Sequence, residues 1–267
     1  DLDATGGGCR LCGGTILGGV VRASGGGKLV VEGGNLDGVT LDCDIDVTGS
    51  LNVRNGLTLN GKMRLLAGTR LSFEGTQTLG GTGEVVFDGG AYWNPSYISM
   101  SVAGTLTIGA GIEIHGGYGY IGVDWHAMSV VNQGAIVADI AGQWVNVSVI
   151  GGMITNEGRL EAAGGSLDVT RLAGNTGSIL VSAGGGLTLQ GDWTNTGGTI
   201  QLGEGTTFTL GGSFALADMG TITNTGGVVR IAGTLDNQGT TFDLDATGGG
   251  CRLCGGTILG GVVRASG

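Results

Sequence analysis

Cysteines are the first residues in this chain whose type and spacing could support chemistry. Cys9 and Cys12 form a C-x-x-C motif, Cys251 and Cys254 repeat it, and Cys43 stands alone. A redox motif needs a helix N-terminus to stabilise its thiolate, and a zinc site needs four ligands, so neither is predicted. Because residues three apart on a strand face opposite sides, we interpret Cys9 as a buried apolar residue. Cys12 and Cys43 are left for a local bridge or a crosslink to a neighbouring chain.

Carboxylates are densest at Asp42, Asp44 and Asp46, which alternate along the chain. On a strand all three would share one outward face, where they could hold a calcium ion. Cleavage of polysaccharides would need such carboxylates together with a basic residue nearby, and no Arg or His lies at an equivalent position one coil away. The sequence therefore predicts no enzyme, no cofactor and no metal beyond this calcium candidate.

Rare residue types gather between residues 91 and 128, where the pattern of the chain is interrupted. Exposed aromatic residues in an insertion are typical of a binding surface, although they could also pack the insertion back onto the body of the protein. The candidates for binding a glycan or a cell surface are Tyr92, Trp93, Tyr97, Tyr118, Tyr120, Trp125 and His126.

The chain contains a long internal repeat, since Asp1–Gly25 is identical to Asp243–Gly267. The offset between the two copies is 242 residues. We therefore interpret residues 1–242 as one unit of a tandem array and residues 243–267 as the start of the next identical unit.

Composition indicates a folded all-β chain. There are 62 glycines, one proline and 40% hydrophobic residues, and the mean hydropathy is +0.29. Disordered segments have low hydrophobicity and high charge, so disorder is excluded. The net charge of −10 excludes nucleic acid as a partner, because phosphate binding needs a basic surface. From Leu71 to Gly158 there are seven acids and no Lys or Arg, which would suit either a cation-attracting face or simple solubility.

A short period runs through the whole chain. Apolar pairs at positions i and i+2 recur mostly every 20–22 residues, and Asn or Asp followed closely by Gly marks the corners between them. This pattern predicts a parallel β-solenoid with about 11 coils of about 22 residues per 242-residue unit, advancing roughly 50 Å per unit. The pairs begin at Cys9, Leu29, Leu51, Leu71, Leu106, Val145, Leu167, Leu187, Phe208 and Val229 and restart at Cys251.

Runs such as GLTLNG, ITNEGRLEAAGGSLDVT and GTLDNQGTTFDLDAT give the chain a recognisable style. It resembles the very long repeat proteins of bacterial surfaces, akin to autotransporter passengers and filamentous-haemagglutinin-like adhesins. That resemblance implies a single-stranded right-handed parallel β-helix at the cell surface or outside the cell.

These observations predict a structural subunit of an extracellular filament, fibre or stalk. Its partners would be further repeats of the same chain and lateral neighbours in a fibre. The alternative is an adhesin that binds glycans or cells through residues 91–128. No apolar segment long enough to span a membrane is visible. The step from Val229 to Cys251 is an ordinary 22 residues, so we expect one unit to continue into the next without a hinge.

Overall fold

The structure is a computed structural model that describes residues 1–6, 8–123, 126–248 and 250–265. Its regular structure is β-strand apart from three short 3₁₀ helices, η1 (Leu2–Thr5), η2 (Leu216–Met219) and η3 (Leu244–Thr247). The strands of the described residues are β1 (Gly8–Leu17), β2 (Val20–Arg22), β3 (Lys28–Asp42), β4 (Ile45–Leu59), β5 (Lys62–Leu65), β6 (Arg70–Glu74), β7 (Gln77–Gly81), β8 (Glu84–Phe87), β9 (Ser96–Val102), β10 (Gly104–Ile108), β11 (Glu113–Gly116), β12 (Gly119–Ile121), β13 (Met128–Asn132), β14 (Ala135–Ala138), β15 (Trp144–Ser148), β16 (Ile154–Asn156), β17 (Arg159–Ala163), β18 (Ser166–Thr170), β19 (Leu172–Asn175), β20 (Ser178–Ser182), β21 (Gly186–Gln190), β22 (Thr199–Leu202), β23 (Thr207–Leu210), β24 (Ser213–Ala215), β25 (Thr221–Asn224), β26 (Val228–Ile231), β27 (Thr234–Asp236), β28 (Thr241–Asp243), β29 (Gly250–Leu253), β30 (Thr257–Leu259) and β31 (Val262–Arg264).

The strands form three parallel stacks, because each coil of the chain adds one strand to each stack in turn. Stack A contains the starts of β1, β3 and β4 and then β5, β8, β11, β14, β17, β20, β22 and β25. Stack B contains the end of β1, the middle parts of β3 and β4 and then β6, β9, β12, β15, β18, β21, β23, β26 and β29. Stack C contains β2, the ends of β3 and β4 and then β7, β10, β13, β16, β19, β24, β27 and β30. The prediction of a parallel β-solenoid is confirmed, with about 12 turns.

The core lies between the three stacks. Strand residues alternate between inward and outward, as in β18, where Leu167 and Val169 are buried and Asp168 is only partly buried. Each inward side chain lies against the inward side chain of the next coil, so Leu167 is followed by Leu187 and Phe208. One coil has no core of its own, and stability comes from stacking many coils.

A row of buried asparagines lies at the corner after stack C. The Nδ2 atom of Asn132 donates to Oδ1 of Asn156 at 2.7 Å, and the same bond links Asn156 to Asn175 and Asn175 to Asn195. The row starts at Asn132, whose Oδ1 has no hydrogen-bond partner in the described part of the chain. These asparagines belong to the Asn-Gly corner markers of the sequence, so their role includes a hydrogen-bonded ladder as well as a turn.

Two of the predicted apolar pairs, those that begin at Leu51 and Leu106, lie in other stacks than the sequence pattern predicted. The sequence pattern places Leu51 one coil after Leu29, whereas the structure stacks Ile45 on Leu29, sixteen residues along, and Leu51 belongs to stack B. Leu106 belongs to stack C, where it pairs with Gln77 of β7 and its partner residue Ile108 pairs with Leu79. The list of apolar pairs therefore combines strands from different stacks, because all inward pairs look alike in sequence.

Strand pairing continues past residue 243. Strands β29, β30 and β31 pair in parallel with β26, β27 and β28, respectively. The identical segments η1 and η3 both end at a glycine in the left-handed conformation, Gly6 and Gly248. That 1–242 is one unit of a longer array stays a prediction, but in the described residues the strand pairing of stack B crosses the start of the second copy, from β26 to β29.

Candidate functional site

The insertion of residues 91–128 places its aromatic residues in two different surroundings. Tyr92 and Trp93 lie in the turn between β8 and β9 and are 73% and 85% exposed. An Ala91–Asn94 bridge closes this turn. We call Tyr92 and Trp93 the aromatic tip. His126 is also exposed, and the predicted candidate Trp125 lies outside the described residues.

Tyr97 and Tyr120 point outward from adjacent strands of stack B. Their rings stack with centroids 5.5 Å apart, and the Arg70 guanidinium lies 5.1 Å from the Tyr97 ring centroid. Such stacked and cation–π contacts stabilise neighbouring coils. These two tyrosines are therefore attached to the body of the solenoid, as the packing interpretation of the insertion predicted.

Trp144 completes this cluster and was not among the predicted site residues. Its ring lies 4.6 Å from that of Tyr120 and 5.7 Å, edge-on, from that of Tyr118. Gly119 lets the chain pass close to the core here, because a Cβ at that position would meet the Phe87 ring at 2.2 Å. Trp144 precedes the inward pair Val145/Val147, so the sequence pattern alone could have placed it on the outer face.

A groove of about 520 Å³ runs along stack B on the far side of Trp144. Trp144 and Gln143 lie at one end and Arg230 at the other. Between them the lining consists of short side chains and one acid, namely Gly142, Ser166, Asp168, Gly184, Gly185, Gly186, Leu187, Thr188, Thr207 and Thr209. The groove exists because the side chains between Trp144 and Arg230 are small.

Asp168 is the acidic group of this groove. Burial raises the pKa of its carboxyl, and a hydrogen bond from the Thr188 side chain partly offsets that rise. A raised pKa in the folded state means that the ionised carboxylate destabilises the fold. That cost is absent at pH values below the carboxyl's ordinary pKa and is fully present above its raised pKa.

Asp168→Asn is therefore expected to increase the free energy of unfolding at pH 7, because the amide carries no charge. The gain should shrink as the pH falls from the raised pKa of Asp168 to the ordinary pKa of an aspartate, because below both values the wild-type carboxyl is protonated in the folded and the unfolded state. Urea unfolding at pH 7 and at pH 3 measures both effects. If the variant is less stable than wild type at pH 7, the ionised Asp168 carboxylate does not destabilise the fold.

Most of the described acids of the Leu71–Gly158 stretch contact basic side chains, while Asp124 lies outside the described residues. Glu84 contacts Lys62 at 2.8 Å and His115 at 3.0 Å, and Lys62 and His115 lower the pKa of the Glu84 carboxyl. Other ion pairs join Asp88 to Arg64, Glu113 to Arg159 and Glu74 to Arg54, and the Asp139 carboxylate lies 2.9 Å from Nδ1 of His115. The cations come from coils on either side, which a linear count of charges misses.

The three aspartates proposed for calcium point outward but have separate partners. Asp42 accepts from Asn60 at 2.6 Å, and Asp44 accepts from the Lys62 backbone. Asp46 pairs with Lys28 and with Arg64, which lies opposite it on the next coil, so the expectation that no Arg stands one coil away was wrong. No group of three His, Cys, Asp or Glu residues within the described ranges is arranged to hold a metal ion. The calcium candidate therefore finds no geometric support.

The cysteines occupy three environments. Cys9 takes an inward position beside Leu29, although it is exposed here, and its copy Cys251 lies beside Val229 and is partly buried. Cys12 is exposed, and its thiol contacts Glu32, which raises the thiol pKa. Cys43 is only 6% exposed, and burial raises the pKa of its thiol to about 11. A crosslink through Cys43 is therefore incompatible with the packing, whereas Cys12 is accessible.

In the described residues, no helix is both long and apolar enough to cross a membrane.

Comparison with known proteins gives one informative similarity. The chain is 28% identical over 184 residues to BigA of Salmonella typhimurium (strain LT2), which is provisionally described as a surface-exposed virulence protein. The match covers 62% of this chain but 9% of BigA. No protein-family model and no solved structure matches the chain. The similarity and the β-solenoid fold are compatible with a bacterial surface protein that has a structural or adhesive role.

Proposed function

We propose that this chain is a segment of a rigid extracellular rod, built from tandem 242-residue units and serving as a filament, fibre or stalk at a cell surface. The observation that carries the proposal is the parallel ladder that continues from β26–β28 into β29–β31, which belong to the second copy. A repeat that stacks directly on its predecessor extends the core and needs no linker. The proposal assigns no catalytic role to the chain.

The surface location is supported by the similarity to BigA and by the fold. Units of about 11 coils at the spacing of β-strands would lengthen the rod by roughly 53 Å each. A β-solenoid grows in one direction only, so added units change the reach of the molecule and leave its width unchanged. Lateral contacts between such rods would produce a fibre.

The rod proposal predicts how size changes with copy number. A chain in which residues 1–242 are followed by a second full copy should have a maximum dimension roughly 53 Å greater than one copy. Its cross-sectional radius should be unchanged. Small-angle X-ray scattering measures both quantities. A second copy that folds back or moves independently would give a smaller increase and a larger apparent cross-section, and would overturn the rod.

Adhesion is a second candidate function, favoured by the exposure of the aromatic tip. Tyr92 and Trp93 are large apolar side chains held away from the core, and such residues are enriched at interfaces. Replacing both by Ser removes no core contact, so the solenoid should stay intact. Loss of attachment of the purified chain to cultured epithelial cells, with unchanged circular dichroism, would support adhesion, and unchanged attachment would exclude the tip.

A further inference from the structure

One outward row of stack B combines aromatic, acidic, hydroxyl and cationic groups in a single line. Consecutive members lie opposite each other on adjacent coils, which places them roughly 4.8 Å apart. In order, the row is Arg70, Tyr97, Tyr120, Asn146, Asp168, Thr188, Thr209, Arg230 and Arg252. The groove described above follows this row from the coil of Trp144 to the coil of Arg230.

A neighbouring row explains why the groove is open. It begins at Trp144 and continues through Ser166, Gly186 and Thr207. An added Cβ at Gly186 would meet only Ser166 Oγ at 3.8 Å and the Thr207 carbonyl oxygen at 3.9 Å. Space above Gly186 is therefore bounded by the Trp144 ring on one side and is available to a ligand.

We propose that this groove binds a neutral linear oligosaccharide that lies parallel to the rod axis. The Trp144 ring supplies an apolar surface for the C–H face of a sugar ring. Asp168 accepts hydrogen bonds from sugar hydroxyls, Thr188 and Thr209 both accept and donate, and Arg230 donates. The groove spans five coils, counting those of Trp144 and Arg230. Its length is therefore roughly 20 Å, which suits several linked sugars.

The same contacts argue against other ligands. A peptide that adds a strand needs free backbone groups, and here β18 and β21 are already paired on both sides. An anionic sugar would place its carboxylate within the reach of Asp168, whose own charge is already disfavoured by burial. Of the residues that line the groove, Arg230 carries the one positive charge and Asp168 the one negative charge, so the lining has no excess positive charge for an anionic chain.

An array of immobilised hexasaccharides tests the proposal. It carries neutral glucans, mannans and N-acetylglucosamine oligomers, with uronic-acid oligomers as the anionic comparison. Wild-type chain should bind at least one neutral oligomer, and Gly186→Leu and Trp144→Ala should each weaken that binding by tenfold or more. Gly174→Leu is the matched control, because its Cβ on stack C meets no atom within 4 Å.

Three results would overturn the groove assignment. They are no binding of any neutral oligomer, equal binding by Gly186→Leu, or equally tight binding of uronic-acid oligomers. The groove does not depend on the rod or on the aromatic tip, so Tyr92→Ser with Trp93→Ser should leave the array result unchanged. A loss of array binding in that tip variant would indicate that the ligand binds at the aromatic tip, and would therefore also contradict the groove assignment.

A second, independent observation concerns the orientation of successive units. Gly8–Leu11 starts stack A, whereas the identical β29 lies in stack B. Likewise Thr15 and Ile16 pair within stack B, whereas their copies in β30 pair with β27 in stack C. One 242-residue offset therefore contains eleven turns and one third of another.

We infer that consecutive units of the rod face different directions, each turned by a third of a turn relative to the one before. This inference rests on the proposed tandem rod. The groove and the aromatic tip would then point to three sides in succession and return to the first side every three units, roughly 160 Å along the rod. Such a rod could contact partners on all sides.

Disulfide formation in a two-copy chain distinguishes the arrangements. Cys251 lies beside Val229, whereas a unit of eleven whole turns would place it beside Ile222 in stack A. With the remaining cysteines changed to Ser, Val229→Cys should form a disulfide with Cys251 under mild oxidation, and Ile222→Cys should not. Crosslinking through position 222 would overturn the third-turn inference and keep the rod. If neither variant forms a disulfide, the pairing of β26 with β29 at the junction is absent, and the proposed rod is wrong as well.

Discussion

Phe208→Ala is expected to lower the free energy of unfolding by about 3–5 kcal/mol. Phe208 is fully buried in stack B and lies between Leu187 and Val229 of the adjacent coils. Because the solenoid core is continuous, neighbouring coils cannot collapse into the space without disturbing their own strand pairing. The cavity should therefore remain, and urea unfolding followed by circular dichroism should show a lower midpoint.

Thr209→Ala is the matched control for this substitution. Thr209 is the next residue of the same strand, but it points outward and is partly exposed. Its truncation should change the free energy of unfolding by less than about 0.5 kcal/mol. Similar losses for both variants would mean that the alternation of β23 is assigned to the wrong faces.

Asn175→Ala is expected to cost about 2–3 kcal/mol, because it interrupts the buried asparagine ladder. Asn175 accepts a hydrogen bond from Asn156 and donates one to Asn195, both at 2.7 Å. After truncation, Oδ1 of Asn195 loses this donor while it stays buried. An unsatisfied buried polar atom carries the full cost of its lost solvation.

Asn52→Ala separates a ladder effect from the loss of any asparagine. Asn52 points outward, is half-buried and reaches Asn35 only at 3.4 Å, so its loss should cost less than about 1 kcal/mol. Thermal unfolding of the two variants side by side measures the difference. Asn175→Ala with the stability of Asn52→Ala would show that the corner asparagines act only as turn residues.

Much of the fold follows from the spacing of apolar pairs and corners. Pairs such as Leu167/Val169 and Leu187/Leu189 are separated by one coil in both the prediction and the structure. Their regularity reflects the requirement that each inward residue meets its equivalent on the next coil. The predicted positions of the coils were wrong at Leu29 and Leu106, where one coil has 16 residues and another has an insertion. Sequence spacing does not tell which stack an apolar pair belongs to.

The candidate site was predicted less completely. Tyr97, Tyr118 and Tyr120 do lie together, but the insertion alone did not indicate Trp144, which comes from the following coil. The insertion did not indicate the groove either. The groove depends on the small side chains of Ser166, Gly186 and Thr207 as much as on the large side chains at its ends. The acids of the same region contact basic side chains on flanking coils, which a linear count of charges does not show. Contacts between coils about 20 residues apart determine all three features.

A cryo-electron microscopy structure of the two-copy chain would show the junction between units. If the units form one rod, an uninterrupted column of parallel strands, roughly 4.8 Å apart, runs from β26 through β29 into the second copy. A hinge, a gap in the column or a separate second body at residue 243 would rule out the rod.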